Sequence, residues 1–159
     1  MTTNNITANR MALRPSALAT MPVEQRLRLF YLALSAFMCL GTIAELLLLN
    51  HTDGVVQLIP FALSGLGVVT VLGVIFKPGV KVVWTMRIVM VITILGSVLG
   101  MFEHLEGNLE FAREIHSGLS GADLMWKALA GANPLLAPGM LAVGALIAIA
   151  ASYYPISYE

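Results

Sequence analysis

The sequence predicts an all-α membrane protein: four transmembrane helices in an antiparallel bundle, with a long outer loop between the third and fourth spans containing a helical extension and a short interfacial helix. Three observations predict it. Of the 159 residues, 58% are hydrophobic and only 11% are charged, where a soluble domain has about a quarter of its residues charged. The apolar residues gather into four runs of roughly bilayer-spanning length, separated by turn signals. The positive charges are segregated, seven of nine sharing one side of those runs. The expected organisation is a basic tail (1–21), a single transmembrane domain (22–154) and a short C-terminal tail (155–159).

The tail contains Arg10 and Arg14, no acid and no sustained apolar period, which fits a segment at the membrane surface. A signal peptide is disfavoured because the small-residue triplet Ala17-Leu18-Ala19 precedes the first apolar run instead of following it. Pro22 and Glu24 suit a helix's first turn, where proline costs no hydrogen bond and a carboxylate meets the positive end of the dipole.

The first span is expected at about 29–49, since about twenty residues at roughly 1.5 Å rise cross a core of about 30 Å. Its polar residues Tyr31, Ser35, Thr42 and Glu45 fall with Met38 on one helical stripe, expected to face protein. Cys39, the single cysteine, reads as a small buried apolar residue. Asn50 to Gly54 form a short turn marked by Asp53-Gly54, and 55–76 is the second span. In that span Gln57 and Ser64 share a face, Pro60 lies near enough to the start to be tolerated, and Gly65, Gly67 and Gly73 allow close packing.

A turn at 77–81 leads to the third span, 82–102. Gly96 and Gly100 form a GxxxG pair, and Thr93, Ser97, Gly100 and His104 follow one side of the helix toward a neighbour. Arg87, roughly 9 Å inside the Lys81 end by helical rise, is expected to snorkel. The outer loop, 103–134, begins with a stretch holding four of the nine acids and two of the three histidines. Within it Glu103, Glu106, Glu110 and Glu114 form one acidic stripe if the third helix continues, with Gly107 opposing that continuation by roughly 1 kcal/mol. Ser120 to Asp123 resembles a capping box opening a short helix that carries Trp126 to the membrane interface. Asn133-Pro134 turns the chain into the fourth span, 135–152, where Gly144, Ala148 and Ser152 make a small-residue face and Tyr153 and Tyr154 stand at belt positions.

Four spans put both termini on one side. Arg10, Arg14, Arg26, Arg28, Lys77, Lys81 and Arg87 share it, so the positive-inside rule makes it cytoplasmic and puts the 103–134 loop outside, in a bacterial type of inner membrane. All three histidines then lie at or near the outer face.

Glu45 is placed roughly 7 to 8 Å below the outer turn, where a lipid-facing carboxylate costs a few kcal/mol. Its available partners are His51, Gln57, Glu103 and His104. Imidazole and carboxylate ligands suit a divalent transition metal, and the candidate metal set is Glu45, His51, Glu103, His104 and His116. The intramembrane polar positions are Gln57, Ser64, Thr93 and Ser97, and the helix-packing positions are Gly96, Gly100, Gly144 and Ala148. No Glu-x-x-His pair, HExxH or GxSxG elbow is present, so di-iron, zinc-protease and hydrolase chemistries lack their signatures. Haem or quinone has thin support because all the histidines lie at one edge. With no basic cluster and interleaved aromatics, nucleic acid is not an expected partner.

The expected function is a non-catalytic accessory or assembly subunit of a larger membrane complex, with the bilayer and other membrane subunits, or copies of itself, as partners. The alternative is a metal- or redox-cofactor-binding protein with its site around Glu45 and His104.

Overall fold

The computed structural model describes residues 21–52 and 54–154. The expectations for the tails, apart from Met21, and for Asp53 lie outside the described residues. Regular structure among the described residues is entirely helical: α1 (Val23–Leu48), α2 (Val55–Phe76), α3 (Val80–Ile115), α4 (Gly121–Leu129) and α5 (Leu136–Ala151). The helices α1, α2 and α3 are long and apolar enough to cross a membrane, whereas α5 is apolar but has 16 residues. These features fit a small integral membrane protein.

The distribution of polarity supports the same conclusion. Phe37, Leu48, Val55, Phe76, Leu99 and Leu136 are exposed, while Ser35, Ser64, Thr93 and Ser97 are buried. A soluble domain arranges these types the other way round; a lipid solvent takes the large apolar groups and leaves small polar ones between helices. Thr42, Thr70, Thr85 and Thr93 each donate their hydroxyl to a carbonyl four residues earlier, so these polar groups are satisfied within their own helices.

The end of α1 is built by Asn50, which takes φ +48°. Asparagine tolerates the left-handed region better than most residues. With Asn50 there, the Asn50 amide donates to the Leu47 carbonyl at 3.2 Å and the His51 amide to that of Leu46 at 3.0 Å, the two bonds of a Schellman closure. The reversal is therefore set at Asn50, upstream of the Asp-Gly signal.

In α3 the helix runs 36 residues without a break, roughly 54 Å by rise against a bilayer core of about 30 Å. The predicted third span is its apolar part, and the helical extension is its continuation through Gly107. Glu103, Glu106, Glu110 and Glu114 are all exposed along it. At α4 one expectation fails: Ser120 occupies the N-cap position, yet its side chain makes no cap bond. Gly121 follows with φ +61°, a conformation glycine adopts cheaply, and a first residue so turned departs from the helical geometry that a capping box requires.

Helix α1 packs on α2 and α5, and α3 packs on α2, α4 and α5. Leu32, Ala36, Val71, Val74, Met86, Met90, Ala145 and Ala148 form a continuous core. These residues come from the start of α1, the end of α2, the start of α3 and the end of α5, so the tight packing lies in one half of the molecule. Small residues bring the helices close. A Cβ on Gly67 would stand 3.0 Å from Cys39 Sγ, and one on Gly144 would stand 3.2 Å from Met38 Cβ. Gly65 has nothing within 4 Å, so it is not a packing position.

Arg87 lies at this tightly packed end and does more than reach the interface. Its Nε donates to Ser152 Oγ at 2.8 Å and its Nη2 to the Ser152 carbonyl at 3.1 Å. The guanidinium also stacks 4.4 Å from the Tyr153 ring centre and 5.3 Å from that of Trp84. One side chain thus satisfies the end of α5, where carbonyls lack intrahelical donors and a positive charge is favoured. Tyr154 lies 6.4 Å from Tyr31, extending the aromatic cluster across to α1.

Candidate functional site: a cavity at the Glu103 end

The opposite half of the molecule is hollow. A cavity of about 520 Å³ opens between the end of α1, the start of α2, the α3 stretch from Gly96 to His104, the loop after α4 and the start of α5. Its size falls within the range of small-molecule pockets. Glu45 and Thr42 contribute from α1, His51 from the Schellman turn, and Ser97, Glu103 and His104 from α3. Leu46, Ile59, Leu63 and Leu141 supply much of the apolar wall.

Proline and glycine mark the wall on three helices. Pro60, six residues into α2, has no amide to offer the carbonyl of Val56, and both residues line the cavity. Gly96 and Gly100 let the neighbouring helices approach the α3 wall closely. A Cβ on Gly96 would stand 2.6 Å from Leu63 Cδ1, and one on Gly100 would stand 3.3 Å from Pro138 Cβ. The GxxxG pair therefore serves two different neighbours, Gly96 facing α2 and Gly100 facing α5.

The roof is the loop at 131–134, held by two α3 residues one turn apart. His104 Nδ1 lies 3.0 Å from the Pro134 carbonyl. A carbonyl only accepts, so Nδ1 carries the proton, and in the neutral ring Nε2 keeps its lone pair. Asn108 Nδ2 donates to the Asn133 carbonyl at 2.8 Å, and the Asn133 amide donates to Asn108 Oδ1 at 2.9 Å. Asn108 is 2% exposed. A Cβ on Gly107 would stand 3.2 Å from Asn133 Nδ2, so the glycine that weakens α3 also admits the loop.

The expected site residues divide accordingly. Glu45, His51, Glu103 and His104 line the cavity together; Glu45 and Glu103 are exposed, and the two histidines are half-buried. Gln57 is half-buried but not part of the lining. His116 caps the far end of α3, about 18 Å along the helix from His104 by rise. Of the other polar positions, Ser97 reaches the cavity, while Ser64 and Thr93 are buried outside its wall. The Oγ atoms of Ser64 and Ser97 are buried without a hydrogen-bond partner. Ala148 lies in the core at the other end. Among the described residues, no three of His, Cys, Asp and Glu converge closely enough to hold a metal ion.

Asn108, Asn133 and the three prolines Pro60, Pro134 and Pro138 are site residues that the sequence pattern did not single out. One signal was available: Asn108 continues the Thr93, Ser97, Gly100, His104 side by one more step of four. No protein-family model, curated protein or solved structure matches the chain.

Proposed function

We propose that this protein is a non-catalytic accessory or assembly subunit of a larger membrane complex, built as four antiparallel spans with both termini cytoplasmic in an inner membrane of bacterial type. The observation that carries the reading is the braced extension of α3. A merely solvated loop needs no buried anchor, yet Asn108 locks the following loop to this helix, and Ala128 of α4 is fully buried. The result is a stiff platform with an exposed acidic stripe, suited to a basic surface on a partner. Support for α5 as the fourth span comes from its contacts beside the apolar part of α3: Gly100 faces Pro138, and Arg87 holds Ser152. At 16 residues, roughly 24 Å by rise, α5 spans with local thinning of the bilayer. Extraction in a mild detergent and pull-down through an added tag tests the role. A defined complex containing another membrane subunit is the expected outcome; a lone monomer or a homo-oligomer contradicts it.

A second reading, a metal or redox-cofactor site around Glu45 and His104, is favoured by the cavity that these residues share with His51 and Glu103. His104 is oriented through Nδ1 as second-sphere partners orient metal-binding histidines, leaving Nε2 as the ligating atom. Metal analysis and a visible spectrum of purified protein test it. Unchanged metal content in a Glu45→Gln, His104→Ala double variant contradicts it.

A further inference from the structure

The extension of α3 carries two side chains that its acidic stripe does not explain. Phe111 and Ile115 are 54% and 58% exposed, so the protein leaves each mostly uncovered. By helical rise they stand roughly 14 and 20 Å past Phe102, the end of the expected third span. The headgroup layer beyond the hydrocarbon is about 5–8 Å thick on each side, so lipid does not account for their exposure.

The helix surface around them is ordered in rows of four-residue spacing. His104, Asn108 and Ala112 form the row turned toward the protein, where Asn108 and Ala112 are buried. Gly107, Phe111 and Ile115 form the next row. Beyond it lie Glu106, Glu110 and Glu114, all exposed, with Glu110 three residues from Gly107 and Glu114 three from Phe111, the other spacing of helical neighbours. Arg113 is two residues from both Phe111 and Ile115, so it faces away from them. Neither outer row holds a lysine or arginine. An apolar strip is therefore bordered along one side by carboxylates.

We propose that this strip docks a basic amphipathic helix of a protein partner, its apolar side on Phe111 and Ile115 and its lysine or arginine side on Glu106, Glu110 and Glu114. Amphipathic helices bind by laying an apolar face on an apolar surface, and the carboxylate border selects a partner of positive charge. From Gly107 to Ile115 the strip runs roughly 12 Å, which about three turns of a partner helix cover. The Asn108 bonds to the Asn133 backbone hold the strip's backing in place, so little ordering is needed on binding. This inference rests on the subunit reading and supplies the chemistry of the partner's contact.

The test titrates full-length protein, held in nanodiscs of net-neutral choline-headed phospholipid, with a fluorescent helical peptide of leucine and lysine whose leucines share one face. Empty nanodiscs give the lipid background, and a peptide of the same composition in scrambled order lacks the amphipathic face. Binding above both controls is expected. A Phe111→Ser, Ile115→Ser double variant and a Glu106→Gln, Glu110→Gln, Glu114→Gln triple variant should each weaken it by roughly tenfold or more. All five side chains are exposed, so the two variants retain the packed core. Equal binding of the scrambled peptide, or unchanged binding by either variant, overturns the proposal.

In cells, photo-crosslinking from a benzoylphenylalanine substituted for Phe111, followed by sequencing of the attached peptide, reads the natural contact. A segment with lysine or arginine on one helical side and apolar residues on the other is expected; crosslinks confined to lipid or to a second copy of this chain overturn the assignment. Co-purification of a membrane subunit whose crosslinks lie elsewhere overturns this surface and leaves the subunit role intact. Peptide binding that depends on both rows, without any co-purifying subunit, does the reverse.

Discussion

The side chain of Asn108 and the backbone of Asn133 exchange two hydrogen bonds, at 2.8 and 2.9 Å, and this reciprocal pair fixes the roof of the cavity to α3. Asn108→Ala removes both bonds and leaves a backbone carbonyl and amide to find water, a cost of about 1–3 kcal/mol. The expected outcome is local. Amide hydrogen exchange should accelerate at Asn133 and its neighbours while α1 and the core half of α2 keep their protection.

Glycines in this chain divide by what surrounds them. At Gly131 a Cβ would lie 2.6 Å from Asn108 Oδ1 and 2.8 Å from Asn108 Cβ, and the two hydrogen bonds prevent Asn108 from yielding. Gly131→Ala is expected to destabilise by about 1–3 kcal/mol, the usual cost of overpacking. Gly65→Ala has open space and lies within α2, so it should be neutral or stabilising by up to about 1 kcal/mol. Comparative unfolding of the two variants in the same detergent checks the sign of each.

Arg87 makes two directional hydrogen bonds to Ser152 while its flat face lies on Tyr153. A lysine ammonium keeps the charge but cannot reproduce the planar fork. Arg87→Lys should therefore lower stability by about 1–2 kcal/mol, since charged hydrogen bonds contribute about 1.5–3 kcal/mol and lysine recovers part of that. Exchange at the last turn of α5 should rise first, which peptide-resolved exchange would reveal.

Much of the helical layout could be read from hydropathy and spacing, because lipid imposes length and polarity rules that act on local sequence. The second helix was expected at 55–76 and occupies Val55–Phe76. The gathering of Glu45, His51, Glu103 and His104 followed from their shared depth near the ends of three helices. What escaped depended on long-range pairing. Arg87 and Ser152 are 65 residues apart, and neither residue type announces the other. Asn108 looked like an ordinary polar residue in a charged stretch, and only the loop folded against it makes it a buried anchor. Gly107 was read as a weakness in α3, but its value lies in the space it leaves for Asn133. The cavity draws its lining from α1, α2, α3, α5 and the loop after α4, a convergence that no single-helix pattern exposes.

In the proposed orientation the cavity and the acidic extension face outward, across the membrane from Lys77. That orientation is tested most directly by thiol labelling in intact bacterial cells, with Cys39→Ala as background and a single cysteine placed by Glu110→Cys or Lys77→Cys. Glu110 and Lys77 are both exposed, so neither site is shielded by protein. With a membrane-impermeant maleimide, the Glu110→Cys protein should label in intact cells, and the Lys77→Cys protein only after the membrane is opened. Labelling of the Lys77→Cys protein alone in intact cells would contradict the orientation, and labelling of both there would contradict a membrane crossing between them.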